Sequence, residues 1–400
     1  MATLTPPVAF SNRSSTTSTS SSNASTSSDS STASNTVYSS PSYRAEILRR
    51  HNIYVESAIL EDETWSRCAF AMGMPYADSY CASPETRRFA NKVQRAVKSK
   101  GRLSEKQATE GLNTLLEATM AKARSSLPGG RNGNDRKFVV KTGATFHREA
   151  LSSPTSTSAP QLPTPKPSLT VGFTSATFND HEHELQTGVI VSPSGSPCDL
   201  SKLSQPTADC FWPFFLVECH KESLYTAHNA AACSAVACNT ALTILTSAVE
   251  DPSIRTRGRS ITWTSQRTVE SFSLSVSGTV ASLNLHRLEN GVHHSAMIRA
   301  YSLDDPRDVE AMFSRLTSIF VWAVNLRLPR VVDLLENLDC VVKLDQRDNV
   351  VHDDGGLLSV ATGASAPRSG ISQTSPPKSL SSGLRSIFHD LGPKWLRVHD

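Results

Sequence analysis

The sequence predicts an α/β domain built on a central mixed β-sheet flanked by helices. Three observations carry that reading. The stretch FWPFFLVEC at 211–219 is apolar on both of its alternating faces, as a central strand covered on each side requires. An alanine-rich segment at 226–249 follows, with small side chains that let a helix approach a sheet closely. Runs at 259–276, 280–288 and 294–301 supply further strands before a last amphipathic helix, giving an α-β-β-β-α-β order with additional antiparallel strands.

The elements follow from local chemistry. Between Ser11 and Ser42 the chain is overwhelmingly Ser, Thr and Asn, too polar to offset ordering entropy by burial, so 1–42 reads as a disordered tail. A helical region with a short strand is expected over 43–150. It opens at Tyr43 with Ile47, Tyr54, Val55, Ile59 and Leu60 in weakly helical spacing. Pro84 starts a helix at 84–100 with Phe89, Val93, Ala96 and Val97 on one side and Arg87, Arg88, Lys92, Arg95, Lys98 and Lys100 on the other. Ser104 and Gln107 form a capping box for the next helix, whose inward stripe is Leu112, Leu115, Leu116 and Met120. Beyond Gly129, Gly130 and Gly133, Phe138 to Val140 predicts the short strand, and the Ser/Thr/Pro-rich residues 151–167 a loop.

The core is expected at 168–340. Leu169, Val171 and Phe173 alternate as a strand does, and Val189 to Val191 is a second strand. Asn290-Gly291 marks a hairpin turn. Asp304 or Asp305 caps the last helix, with Pro306 in its first turn and Val309, Met312, Phe313, Leu316, Ile319 and Phe320 facing inward. Residues 341–400 read as a mostly flexible tail with a short helix at 384–396.

Composition narrows the function. Lys plus Arg at 40 against Asp plus Glu at 37 leave a formal charge of only +3, so any nucleic-acid surface must be a local patch. The eight cysteines form no C-x-x-C pair and read as reduced thiols of an intracellular protein. No uninterrupted run of 18 apolar residues occurs, so no membrane span is expected. The chain lacks G-x-S-x-G, G-x-x-x-x-G-K and H-E-x-x-H, which removes the hydrolase, nucleotide-triphosphatase and metalloprotease classes that those motifs serve.

Chemistry concentrates at the end of the central strand. Glu218 shares a face with Phe214, Leu216 and His220 by the two-residue period, and a charge ending so apolar a strand needs a partner. The phrase PKPSLTVGF at 165–173, and WPFFLVECH at 212–220 ahead of the alanine-rich helix, resemble a fungal protein family related to the PD-(D/E)XK nuclease superfamily; the resemblance spans 43–340. It implies a restriction-endonuclease-like core. In active members an aspartate after a proline and the glutamate of an E-x-K tripeptide hold magnesium, and the lysine positions or activates the attacking water.

Transferred to this chain, the proline matches Pro167, but Ser168 stands where the aspartate belongs. Glu218 matches the glutamate, and His220 occupies the lysine position. Lys221 replaces the lysine only if the strand ends or bulges there. Asp180, Glu182 and Glu184 in the NDHEHE segment, and Asp209, are the acids available to rebuild a Mg2+ or Mn2+ site with Glu218, unless that segment is a polar loop or exposed strand. Glu110 and Glu117 are the candidates for a helix-borne glutamate. Two functions follow. The leading one is a degenerate nuclease-like domain that binds DNA or another protein, with Arg88, Lys92 and Arg95 as phosphate contacts. The other is a divalent-metal-dependent DNA endonuclease with a migrated acid.

Overall fold

A computed structural model describes residues 37–59, 69, 83–101, 103–125, 137–151, 160–187, 189–191, 197–250 and 269–338. All lie within Met1–Val350; residues 351–400, including the helix expected at 384–396, lie outside the described residues. Most of the expected N-terminal tail and the front of the run at 259–276 also fall outside them.

The elements are β1 (Ile53–Ile59), α1 (Pro84–Lys100), α2 (Glu105–Ser125), β2 (Phe138–Thr142), β3 (Leu169–Phe173), α3 (Asp180–Gln186), β4 (Val189–Val191), β5 (Pro197–Asp199), α4 (Leu200–Ser204), β6 (Phe211–Cys219), α5 (Leu224–Glu250), β7 (Val269–Ser277), β8 (Val280–Glu289), β9 (Val292–Ser302) and α6 (Pro306–Trp322). Seven strands form one sheet in the order β1-β9-β8-β7-β6-β3-β2. β6 and β7 run parallel, as do β1 and β9, and the other pairs are antiparallel, so the sheet is mixed.

Every residue of β6 is buried, which is why its sequence shows no polar face. Alternation splits its neighbours between two layers. Ser234 of α5 meets Glu218, whereas Thr109 of α2 reaches Cys219. On the α2 side, Phe320 and Trp322 of α6 pack against Phe215 and Phe272 at centroid distances of 5.8 and 5.2 Å. The alanines of α5 let that helix lie close on the opposite face. By length and composition Leu224–Val249 would also suit a membrane span, but 83% of its most apolar 18-residue stretch is buried inside this fold, as in the core helix of a water-facing domain.

The expected caps form. Ser104 and Gln107 exchange hydrogen bonds at the start of α2, and the Asp305 carboxylate accepts the Arg307 amide ahead of Pro306. Asn290 and Gly291 take positive φ values of 51° and 77° in the β8–β9 hairpin.

Three expectations change. Residues 43–60 do not form a continuous helix. Short turns at Arg44–Leu48 and Arg49–His51 stop at Asn52, whose φ is 56°, and the chain leaves as β1, where the β-branched Ile53, Val55 and Ile59 suit a strand. Order also begins before residue 43, because Tyr38 is buried beside Tyr43. The NDHEHE segment is neither loop nor strand but α3, because Asn179 and Glu182 close a capping box around its first turn. Val189–Val191 is a strand, yet it pairs with β5 in a separate two-stranded sheet.

Close approach at the start of β6 is set by Gly172, where a Cβ would lie 2.6 Å from the Phe211 carbonyl oxygen. The pairing of β3 with β6 shifts register there, beside Trp212 at φ 48°. Beyond α6 a wide turn at Ala323–Arg327 aims Arg327 inward. Its guanidinium donates to the carbonyls of Glu270, Pro213 (3.1 Å) and Cys238 (3.4 Å), linking β7, β6 and α5, and burial pushes its pKa down to about 10. Arg327→Met is expected to destabilise the fold by about 3 kcal/mol or more, since three buried acceptors lose their donor. The urea midpoint measures this, and an unchanged midpoint would remove Arg327 as a tie between layers.

A polar seam runs through β7, β8 and β9 beneath α5. Ser273 and the His286 ring share a 2.7 Å hydrogen bond, Asn284 donates to Ser273 and Ser275 at 3.1 and 3.0 Å, and His228 of α5 meets Ser295 at 3.1 Å. Burial first, then the proximity of His228 and His293, holds His286 well below its ordinary value; burial, with Arg44 beside His228 and His294 beside His293, pushes those two down to about 4. These rings are neutral when folded and take up protons when unfolded. Their contribution is therefore present above pH 6.5 and is lost as pH falls towards 4, by up to about 1.4 kcal/mol per pH unit for each. Urea midpoints should drop between pH 7 and pH 5, less steeply in His228→Asn.

Candidate functional site

Register brings two predicted positions together. Leu169 lies opposite Val217, so Ser168 falls across from Glu218 at the same end of the sheet. The Cys219 amide donates to the Ser168 hydroxyl at 3.1 Å, which ties Ser168 into the strand ladder.

Glu218 is only 4% exposed, and its carboxylate is occupied internally. One oxygen accepts the Ser234 hydroxyl at 2.7 Å; the other lies 3.5 Å from His220 Nε2. His220 is 6% exposed, and its backbone amide donates to Val276 on β7. Burial alone would lower its pKa, but the bond to Glu218 and the charges of Glu218, Glu105 and Glu222 reverse this and raise it. Its Nδ1 has no hydrogen bond and sits 3.9 Å from the Glu222 carboxylate.

A strap covers the pair. The Tyr38 ring stands edge-on to His220 at 6.2 Å, and Asn229 of α5 pins the strap by donating to the Tyr38 carbonyl (2.9 Å) and accepting from Arg44 (2.7 Å). Tyr225 adds a bond to the Pro41 carbonyl at 3.2 Å and a stacking surface for Arg44. Beside the pair opens a cleft of about 870 Å³ whose charged lining is Glu105, Lys106, Glu110, Lys166, Glu218 and His220. Burial and the nearby Glu222 and Glu218 charges raise the Glu105 carboxyl above its usual range, against the opposing pull of His220 and Lys221.

The remaining candidates lie elsewhere. β6 ends at Cys219, and Lys221 is exposed in the turn beyond it, outside the cleft lining. Phe173 lies opposite Phe211, so α3 and Asp209 sit at the far end of the strands from Glu218. The separation along β6 is about 23 Å at roughly 3.3 Å per residue. There Glu182 accepts the Asn179 amide at 2.9 Å in its capping box, Asp180 and Glu184 are exposed, and Asp209 pairs with Lys141 at 2.8 Å. None of these acids can reach a cation held by Glu218. Glu117 is exposed and accepts from Asn113, while Glu110 lines the cleft within 4.0 Å of Lys106. Among the described residues no group of three or more His, Cys, Asp or Glu side chains is placed to hold a metal ion. The donor set does not fit magnesium, which needs unshared carboxylate oxygens in octahedral array.

Arg88, Lys92 and Arg95 are exposed on α1, opposite the buried Phe89, Ala90 and Val93, and are absent from this cleft. Tyr38, Ser234, Glu105 and Lys166 are site residues that sequence reasoning missed. Lys166 was in view inside PKPS, and Glu105 directly follows the Ser104 cap; Tyr38 and Ser234 carried no signal beyond a Ser-rich stretch and an alanine-rich helix.

Fold and site define a mixed α/β domain with a buried Glu–His pair at the carboxyl end of the interior strand β6. Residues 101–335 match the family model described as Domain of unknown function (DUF7924), over half of the chain, and the chain belongs to that family. Neither a curated protein nor a solved structure matches it. The strap, β1 and α1 precede the matched residues.

Because its folded pKa is raised, His220 contributes stability that is complete below pH 6.5 and lost as pH rises through the folded value. Glu218→Gln is expected to lower the His220 pKa and abolish that contribution. Titration of the His220 ring by NMR reads the first effect directly; an unmoved pKa would mean that Glu218 does not hold the proton.

Proposed function

We propose that this chain carries a restriction-endonuclease-like core that has lost metal chemistry and serves as a nucleic-acid-binding domain. The order α2-β2-β3-β6-α5-β7, with β2, β3 and β6 antiparallel and β7 parallel to β6, supports the relationship. So does the meeting of Ser168 and Glu218, where that superfamily sets its paired acids.

The observation that carries the loss of catalysis is the engagement of Glu218. Its carboxylate is tied to Ser234 and His220, and the facing position offers a hydroxyl already accepting the Cys219 amide. A cation arriving here would have to displace the His220 ring from the Glu218 carboxylate and would gain one carboxylate. Binding remains open to the surface, and α1 presents exposed basic side chains outside the cleft.

The deciding experiment incubates the full chain with plasmid DNA and magnesium or manganese and reads the products on a gel. No cleavage above background is expected, with Glu218→Ala indistinguishable from the parent. The parent should still retard DNA in a gel shift that weakens as salt rises. Robust cleavage abolished by Glu218→Ala would establish a metal-dependent endonuclease and make Glu105 and Glu110 the next acids to replace.

A further inference from the structure

We infer that the outward face of α1 docks on the sugar-phosphate backbone of a nucleic-acid duplex, independently of the cleft; this rests on the reading of the domain as a nucleic-acid binder. The helix spans 17 residues, about 25 Å at 1.5 Å per residue. It contains six Lys or Arg and one Glu, a net +5 that exceeds the +3 of the whole chain. The rest of the sequence therefore sums to −2.

The charge is also oriented. At 100° per residue Arg87, Arg88, Lys92, Arg95 and Lys98 share an arc of about 140°. All five are exposed, and none forms an ion pair among the described residues. Thr86, Phe89, Ala90 and Val93 occupy the opposite arc and are buried against the domain. Ser83 caps the helix, and Gln94 donates to the Asp304 carbonyl at 2.7 Å, so the cationic face is held on a rigid base.

Two other polyanions fit less well. A helix that lies on an anionic membrane inserts its apolar side, and here that side is already covered by the domain. Single strands are held by basic grooves interleaved with aromatic platforms. The exposed large apolar side chains among the described residues are Val37, Tyr54, Val280 and Leu326, none of them on α1. Rows of cations without stacking partners match the phosphate ridges of a duplex, and such contacts read charge and carry no base sequence.

The test is fluorescence anisotropy of the full chain with a short labelled duplex, with one of its single strands, and with phosphatidylserine vesicles across a salt series. If the five cations each displace a counterion, log K against log salt has a slope of about −4 to −5. The combined Arg88→Glu, Lys92→Glu, Arg95→Glu variant should bind the duplex at least about tenfold more weakly. The neutral Arg88→Gln, Lys92→Gln, Arg95→Gln variant should flatten the slope to about −2, and it stands in if charge reversal impairs folding. Duplex binding with parental affinity and slope in the neutral variant overturns the assignment to α1 but leaves the nucleic-acid reading intact. Tighter binding to the single strand overturns the duplex. Vesicle binding without duplex binding, or no binding at all, overturns both readings.

Discussion

The arrangement of this domain turns on one buried carboxylate. Glu218 ends a strand in which every residue is enclosed, and a carboxyl group there must replace the hydrogen bonds it gives up to water. Ser234 and His220 provide that replacement from two directions, one through α5 and the other through the chain just past the strand end. The same attraction raises the His220 pKa despite its burial. Placing α5 against β6 and satisfying the Glu218 carboxyl are thus one requirement. A metal would compete with both.

The layers around that point follow from strand direction. Antiparallel pairing brings Ser168 to the Glu218 end and sends α3 and Asp209 to the other, so acids that lie close in sequence to the central strand are remote in space. The parallel step from β6 to β7 requires a crossover, which α5 supplies, and leaves the carboxyl end of β6 open to the cleft. On one side the strap from Tyr38 to Arg44 closes over His220, held by Asn229 and Tyr225 on the same helix. Charge is divided between these regions: the cleft mixes glutamates with lysines, whereas the outer face of α1 is almost uniformly basic.

Much of this was legible because it depends on local chemistry. The doubly apolar β6, the Ser104–Gln107 cap, the Asp305–Pro306 start of α6 and the Asn290-Gly291 hairpin each declare themselves within a few residues. β1 did not, since its partner β9 lies most of the chain away and its short run carries a mixed period. The α3 segment misled because alternating His and Glu imitate a strand; the Asn179-to-Glu182 spacing was the better guide. Within the site, Glu218 and His220 could be found from their position on an apolar strand. Ser234 could not, because which alanine-helix residue meets the strand end is set by tertiary packing.

Calorimetric titration of the full chain with Mn2+, alongside Glu218→Ala, decides whether the Glu218 carboxylate is free to take a cation. A carboxylate satisfied by Ser234 and His220 should give no specific manganese binding, so both proteins should show the same weak, featureless heats. Saturable binding at one site in the parent that disappears in Glu218→Ala would show that Ser234 and His220 leave the carboxylate free and would return the cleft to metal chemistry.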